Sequence, residues 1–160
     1  SSSAASDVYK RQLWSNPFTK GPVQSAGYIL NAGSEQFIQD CVHKLQQDHA
    51  ASLLIFPEGT RTAKGEQLND FQRGAANIAL RAGVPIRPVL ISCTPSTLTK
   101  NEKWYHIPEQ PFHIHVKVLD AIRVEDVLDD VTVNPKNVRQ LNQQLQWFFN
   151  QELSLNEQSC

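Results

Sequence analysis

The residues best suited to chemistry form the stretch FPEGTRT, residues 56–62, which directly follows an apolar run. Arg61 can hold a phosphate with a two-pronged, charge-assisted hydrogen bond, and Thr60 adds a hydroxyl donor. Gly59 lets the backbone approach a ligand or adopt a positive φ. Glu58, when ionised, only accepts hydrogen bonds, so it is suited to orienting Arg61 or accepting a substrate hydroxyl. The stretch predicts a phosphate-binding loop, and a surface turn with one Glu–Arg ion pair is the alternative.

Strand and helix patterns alternate around this loop. Apolar runs of strand length occupy residues 26–30, 52–56 and 86–92, and an alternating run occupies residues 112–119. Solid apolar runs are typical of a sheet that is covered on both faces. The order of the patterns predicts an α/β fold with a mostly parallel sheet and helices on both faces. Pro88 lacks a backbone donor, which indicates a bulge or a strand margin at that point.

Three helices are predicted from apolar side chains at helical spacing. Ser34 offers an N-cap to the first, Asp70 to the second, and Asn134-Pro135 is a favourable start for the third. Gly83 is expected to end the second helix. The apolar stripes consist of Phe37, Ile38, Cys41, Val42 and Leu45; of Phe71, Ala75, Ile78, Ala79 and Ala82; and of Val138, Leu141, Leu145 and Phe148.

Composition limits the domain organisation and the function class. The 160 residues are 40% hydrophobic with a formal net charge of −1, which predicts one domain and disfavours a general nucleic-acid binder. The three cysteines are widely spaced, which predicts a reducing, cytosol-facing environment and no zinc site. Residues 1–11 are predicted to be a leader foreign to the fold, residues 12–153 a partial domain, and residues 154–160 a tail. No apolar run is long enough to span a bilayer.

Four segments carry a family resemblance. Residues 56–61 read FPEGTR, residues 84–89 read VPIRPV, residues 71–83 read FQRGAANIALRAG, and residues 27–29 read GYI. The first two resemble signature blocks of the glycerolipid acyltransferases, the lysophosphatidate (1-acylglycerol-3-phosphate) acyltransferases. The third is similar to the helix that connects these blocks in the family, and the fourth matches part of an earlier block. Asn31 stands where many members carry an arginine.

The resemblance implies a reaction and its partners. Members transfer an acyl group from acyl-CoA or acyl carrier protein to the hydroxyl of a lysophosphatidate-like acceptor in phospholipid biosynthesis. The substrate-binding residues would be Glu58, Gly59, Thr60 and Arg61, with no resident cofactor or metal, and the site would lie at the cytoplasmic face of a membrane. A non-catalytic domain that binds phosphate or a lipid headgroup through the same loop is the alternative.

The catalytic base of that family is a histidine in a His-x4-Asp pair, which is expected upstream of this chain. Two pairs within the chain have the same spacing, His43 with Asp48 and His115 with Asp120. The first pair is separated by about 140° around the predicted helix. The second lies an odd number of residues apart along a strand and therefore on opposite faces. Both pairs are predicted to be surface residues, so this chain alone is expected to transfer no acyl group.

Two further features have alternative interpretations. Cys93 ends a predicted strand and is expected to be a packed thiol, although a thioesterase nucleophile is a weaker alternative. Trp104 and Tyr105, with Lys100 and Lys103 beside them, either pin their own loop or contact a membrane surface.

Overall fold

The computed structural model describes residues 34–59, 68–95 and 110–157. The chain divides into two compact units, Ser1–Leu54 and Ile55–Cys160. No helix within the described ranges is both long and apolar enough to cross a membrane. The elements in chain order are helix α1 (Ser34–Gln47), helix α2 (Gly74–Ala82), strand β1 (Val89–Thr94), strand β2 (His113–Val118), the short helix α3 (Val124–Val127) and helix α4 (Pro135–Glu157).

Helix α1 belongs to the first unit and begins at Ser34, where the sequence predicts its start. Ile38 and Cys41 on the predicted apolar stripe are buried. The opposite face is exposed and polar, and Gln36 Nε2 donates to Asp40 Oδ1 at 2.9 Å, one helical turn away. The predicted amphipathic helix is therefore confirmed.

Helix α2 begins at Gly74 with Arg73 as its N-cap, three residues later than the predicted Asp70 cap, so that cap is wrong. The backbone of residues 71–72 is engaged elsewhere: Phe71 N–H donates to Gln146 Oε1, and Gln72 N–H donates to the carbonyl of Pro57. The carbonyl of Phe71, which would accept from Ala75 N–H in a helix that included Phe71, accepts instead from Asn142 Nδ2 at 3.1 Å. The predicted end is confirmed, because Gly83 has φ 65° and its N–H bonds to Ala79 O at 2.9 Å.

Helix α4 begins at Pro135, as predicted. Asn134 caps it, since its side-chain oxygen accepts a hydrogen bond of 2.8 Å from the N–H of Asn137. Val138, Leu141 and Leu145 of the predicted stripe are buried. The amphipathic pattern therefore directs one face of α4 into the core of the second unit.

The core of the second unit forms where α2, α3 and α4 pack together. Phe71, which precedes α2, contributes its ring and meets the ring of Phe149 edge-on, with 5.2 Å between centroids. The buried cluster consists of Phe71, Ala76, Ala79, Leu80, Val124, Leu128, Val138, Leu141 and Leu145. Sequence patterning alone missed α3, which spans only four residues.

Strands β1 and β2 form an antiparallel pair, with Val89 opposite Val118 and Thr94 opposite His113. Pairing resumes beyond Pro88 at a single bridge between Ile86 and Ile122. Two residues of the first chain segment, 87 and 88, therefore face three of the second, residues 119–121. This irregularity confirms the predicted bulge or strand margin at Pro88.

The described sheet differs from the predicted one. Its strands are antiparallel and its two faces differ in their surroundings. Leu90 is buried on one face, where Lys117 also forms an ion pair of 3.3 Å with Glu152 of α4. On the other face Ile91 and Val116 are exposed. A mostly parallel sheet with helices on both faces is thus not found within residues 34–59, 68–95 and 110–157.

The strand predicted at residues 52–56 is also absent, because residues 51–56 have no regular secondary structure. The side chains of Leu54 and Phe56 are exposed. A strand exists only through hydrogen bonds to a neighbouring strand, and an apolar run does not reveal whether that neighbour is in place. The strand predicted at residues 26–30 lies outside the described residues.

The packing of α4 predicts a large effect of truncating Leu141, whose side chain is 0% exposed. Leu141→Ala should lower the free energy of unfolding by about 2–5 kcal/mol, because it removes buried methyl groups and leaves a cavity. Leu155 on the same helix is 56% exposed, so Leu155→Ala should cost less than about 1 kcal/mol. Urea denaturation followed by circular dichroism measures both. Equal losses for the two variants would contradict this packing.

Candidate functional site

The loop at Phe56 is a tight turn that depends on one glycine. Gly59 N–H donates to the carbonyl of Phe56 at 3.1 Å, and Gly59 has φ 68°. An added Cβ would lie 3.4 Å from Gln72 Cγ, an ordinary contact, so the positive φ is the reason for glycine. The backbone freedom predicted for Gly59 is thus used to form the turn.

Glu58 directs its carboxylate to a residue that the sequence did not single out. Its Oε2 atom accepts two hydrogen bonds from Asn69, one from the backbone N–H at 2.8 Å and one from Nδ2 at 2.9 Å. Both residues are half-buried. A carboxylate partly removed from water requires such donors, so Asn69 fixes both the position and the orientation of this group.

The segment that carries Asn69 also holds the loop backbone. Gln72 N–H donates to the carbonyl of Pro57 at 2.7 Å. The loop is therefore attached to residues 69–72 at two points, by the carboxylate of Glu58 and by its backbone at Pro57. Asn69 lies eleven residues after Glu58, and Gln72 lies fifteen residues after Pro57. These two attachments hold the turn more firmly than its own hydrogen bond could.

Helix α4 in turn holds residues 70–71 through two amide side chains. Gln146 accepts from Phe71 N–H at 3.1 Å and donates to Asp70 Oδ1 at 3.2 Å. Asn142 Nδ2 donates to the carbonyl of Phe71 at 3.1 Å. Asn142 is buried, and its Oδ1 has no hydrogen-bond partner within the described residues.

These contacts divide the predicted site residues into two groups. Glu58 and Gly59 lie together in the turn, while Thr60 and Arg61 lie outside the described residues. Sequence reasoning missed Asn69, because no local pattern connects it to Glu58. It also missed the amides of α4, although one signal was present: Asn142 lies within the apolar stripe, four residues after Val138 and three before Leu145.

The two histidine–aspartate pairs lie at the surface, as predicted. A hydrogen bond of 2.9 Å joins His43 Nε2 to Gln47 Nε2, and Asp48 Oδ1 accepts instead from Ala50 N–H. His115 is exposed on β2, and Asp120 is exposed beyond the end of that strand. His113 lies on the same face of the strand as His115, as their alternation predicts.

Neither of the two cysteines that the structure describes, Cys41 and Cys93, is arranged as a nucleophile. Cys93 is half-buried, and its Sγ donates to the carbonyl of Pro95 at 3.5 Å. Burial raises the pKa of the Cys41 thiol above its ordinary value, and the nearby charge of Asp40 raises it further. A thiol with a raised pKa stays protonated at neutral pH, so Cys41 is a packing residue.

In the part of the chain that the structure describes, no group of three or more His, Cys, Asp or Glu side chains could hold a metal ion.

Comparison with known proteins identifies the family. The sequence model described as Acyltransferase matches residues 8–92, more than half of the chain, and helix α4 lies outside that match. No solved structure gave a match.

Curated relatives agree with the family model. The chain is 36% identical over 86 residues to 1-acyl-sn-glycerol-3-phosphate acyltransferase alpha of Mus musculus, covering 53% of this chain and 29% of that protein. It is 33% identical over 89 residues to 1-acyl-sn-glycerol-3-phosphate acyltransferase of Helicobacter pylori, covering 52% and 37%. With the Escherichia coli enzyme of the same name it shares 46% identity over 50 residues, covering 31% and 20%.

The aligned segments thus span little more than a third of these relatives, or less. The turn at Glu58 and Gly59 lies within the part of the chain that the family model matches. On the strength of that match, the chain belongs to the acyltransferase family.

Proposed function

We propose that this chain carries the acceptor-binding part of an acyltransferase that acylates a lysophosphatidate-like lipid in phospholipid biosynthesis. The observation that carries the proposal is the turn at Glu58 and Gly59, in which a half-buried carboxylate is fixed by Asn69 within the family-matched segment. Relatives of the chain are named as 1-acyl-sn-glycerol-3-phosphate acyltransferases. A preorganised turn of this kind suits the recognition of a small polar headgroup.

Each residue of the loop has a separate role in the proposal. Arg61 grips the acceptor phosphate through its planar guanidinium, which forms two parallel hydrogen bonds to phosphate oxygens. Thr60 donates a further hydrogen bond through its hydroxyl. Gly59 allows the backbone to approach the ligand closely. Glu58, held in place by Asn69, accepts a hydrogen bond from an acceptor hydroxyl or orients Arg61.

The proposed reaction is acyl transfer to a hydroxyl. The acceptor oxygen attacks the thioester carbonyl carbon, a C–O bond forms, the C–S bond breaks, and the thiol leaves with the proton that the hydroxyl loses. A general base takes that proton first and returns it to the sulfur. We assign the base to a His-x4-Asp pair in residues of the longer protein that precede this chain. Acyl-CoA or acyl carrier protein supplies the thioester, and no resident cofactor is required.

The exposed apolar side chains of the sheet support the predicted fold of the longer protein. Ile91, Ile114, Val116 and Val118 are exposed on the face opposite Leu90. In the fold that we propose for the longer protein, a helical layer covers this apolar face. A mostly parallel sheet, with β2 as an antiparallel neighbour of β1, is consistent with that pattern.

Contact with the membrane is also part of the proposal, because the acceptor and the product are lipids. Trp104 and Tyr105, which lie outside the described residues, are the expected contact, since amphipathic rings settle at the level of the headgroups. Lys100 and Lys103 would each add about 1 kcal/mol at an anionic surface. This is too little to hold the protein alone at physiological salt, so the association is peripheral and takes place at the cytoplasmic face.

Substitution of Arg61 tests acceptor binding. Arg61→Ala should weaken binding of lysophosphatidate by about 1.5–3 kcal/mol, because a charge-assisted hydrogen bond is lost. Arg61→Lys should lose most of the same affinity, since an ammonium lacks the planar fork. Isothermal titration with lysophosphatidate and with phosphate-free monoacylglycerol measures the difference. Arg123→Ala is the matched control, because Arg123, the residue before α3, pairs with Glu125 in that helix. Equal binding by wild type and a folded Arg61→Ala variant would exclude the clamp.

Turnover by the chain itself tests the assignment of the base. The 160-residue chain should transfer no acyl group from acyl-CoA to lysophosphatidate, because His43 and His115 are exposed surface residues. Mass spectrometry of the lipid product measures this. Turnover that disappears in His43→Ala, and survives in His115→Ala, would show that His43 is the base. A longer chain that includes a His-x4-Asp block and binds acceptor without turnover would instead favour a non-catalytic headgroup-binding domain.

Vesicle binding tests the membrane contact. Binding to vesicles that contain phosphatidylserine should be weak, should fall as salt rises, and should shift Trp fluorescence to the blue. Trp14 and Trp147 contribute background, so the comparison is with Trp104→Phe. If the shift is unchanged in that variant, Trp104 does not contact the membrane.

A further inference from the structure

The carboxylate of Glu58 is held by two hydrogen bonds from a single residue, Asn69. Asn69 donates two hydrogen bonds to Glu58 Oε2, one from its backbone N–H and one from its side-chain Nδ2. The two bonds, at 2.8 and 2.9 Å, converge on a single oxygen atom. The direction of the Glu58 carboxylate therefore depends on where Asn69 is held.

Asn69 lies next to a segment that α4 fixes. The Gln146 amide bonds to the backbone of Phe71 and to the carboxylate of Asp70, and Asn142 bonds to the carbonyl of Phe71. The ring of Phe71 is buried in the core against Phe149. The position of residues 70–71 is thus set by both polar and apolar contacts with α4.

We propose that Asn69 is a positioning residue for the acceptor site, and that Gln146 of α4 holds the segment on which Asn69 lies. The inference rests on the proposed function, because Glu58 is taken as part of the acceptor-binding loop. It deepens that function by extending the network behind the site to α4, which bonds to residues 70–71. Asn69 acts on the acceptor through Glu58 and does not itself contact the lipid.

The network can be distinguished from a contribution to folding. The buried cluster of the second unit consists of apolar residues from α2, α3, α4 and their flanks. Removal of the Asn69 amide leaves that cluster intact, so its effect should appear in binding and in the local mobility of the loop. If Asn69 had a purely structural role, its substitution would lower the melting temperature. The effects of the Asn69 and Glu58 substitutions on acceptor binding would then be independent of each other.

Hydrogen exchange on the full chain tests the network without any ligand. The amide of Asn69 should be protected in the wild type and should exchange faster in Glu58→Ala, which removes its acceptor. Gln146→Ala should also speed its exchange, whereas Gln143→Ala, an exposed neighbour on α4, should not. Unchanged protection of the Asn69 amide in Glu58→Ala or Gln146→Ala would overturn the proposal.

Binding of sn-glycerol 3-phosphate and lysophosphatidate tests the consequence. Asn69→Ala should weaken both by about tenfold, as expected for loss of a hydrogen bond to a charged group. Asn69→Asp should weaken them further, because it places a second carboxylate against Glu58. Asn77→Ala is the matched control, since it removes a side-chain amide of α2 whose Oδ1 accepts a hydrogen bond from Arg81 Nε.

A double-mutant cycle separates positioning from independent contributions. If Asn69 acts through Glu58, then Asn69→Ala should have no further effect on binding in a Glu58→Ala background. The positioning role would be overturned if the losses of affinity in Asn69→Ala and Glu58→Ala multiply in the double variant. It would also be overturned if Asn69→Ala binds the probes as tightly as the wild type. Failure of the wild type to bind either probe, or equal binding by Arg61→Ala, would instead contradict the proposed function, and hydrogen exchange would still decide whether Asn69 fixes Glu58.

Discussion

A half-buried carboxylate must find hydrogen-bond donors, and at Glu58 that requirement connects the turn to the rest of the second unit. Removal from water weakens the hydration of the charge, so the donors have to come from the protein. Asn69 supplies two of them, and the position of Asn69 depends on residues 70–72. The geometry of the turn therefore follows from contacts that lie well outside its own sequence.

Those contacts lead to α4. The helix provides apolar side chains to the core and, from the same side, two amides that bond to residues 70–71. One helix face thus combines packing, which stabilises the unit, with polar contacts, which set the path of the segment before α2. Helix α2 starts at Gly74, after this segment, in which the carbonyl of Phe71 bonds to Asn142 and not to the next turn of a helix. The site and the core share a scaffold.

Local patterns in the sequence predicted the features that local physics controls. The stripe and cap of α4, the left-handed glycine at the end of α2 and the irregular pairing at Pro88 all depend on neighbouring residues. The Asp70 cap and the strand at residues 52–56 were wrong for the opposite reason. Each depends on a partner distant in the chain: residues 70–72 bond to Gln146 and Pro57, and a strand requires a neighbouring strand. The Asn69 contact belongs to the same class, since eleven residues separate it from Glu58.

In the function that we propose, the loop from Glu58 to Arg61 binds the phosphate end of the acceptor. Backbone amide chemical shifts, measured while sn-glycerol 3-phosphate is titrated into the full chain, test it most directly, with glycerol as the phosphate-free comparison. The largest shifts should occur at Gly59, Thr60 and Arg61, with a smaller shift at Asn69, and glycerol should leave them unchanged. Shifts confined to α1 or β2, or the same response to glycerol as to the phosphate, would contradict the claim.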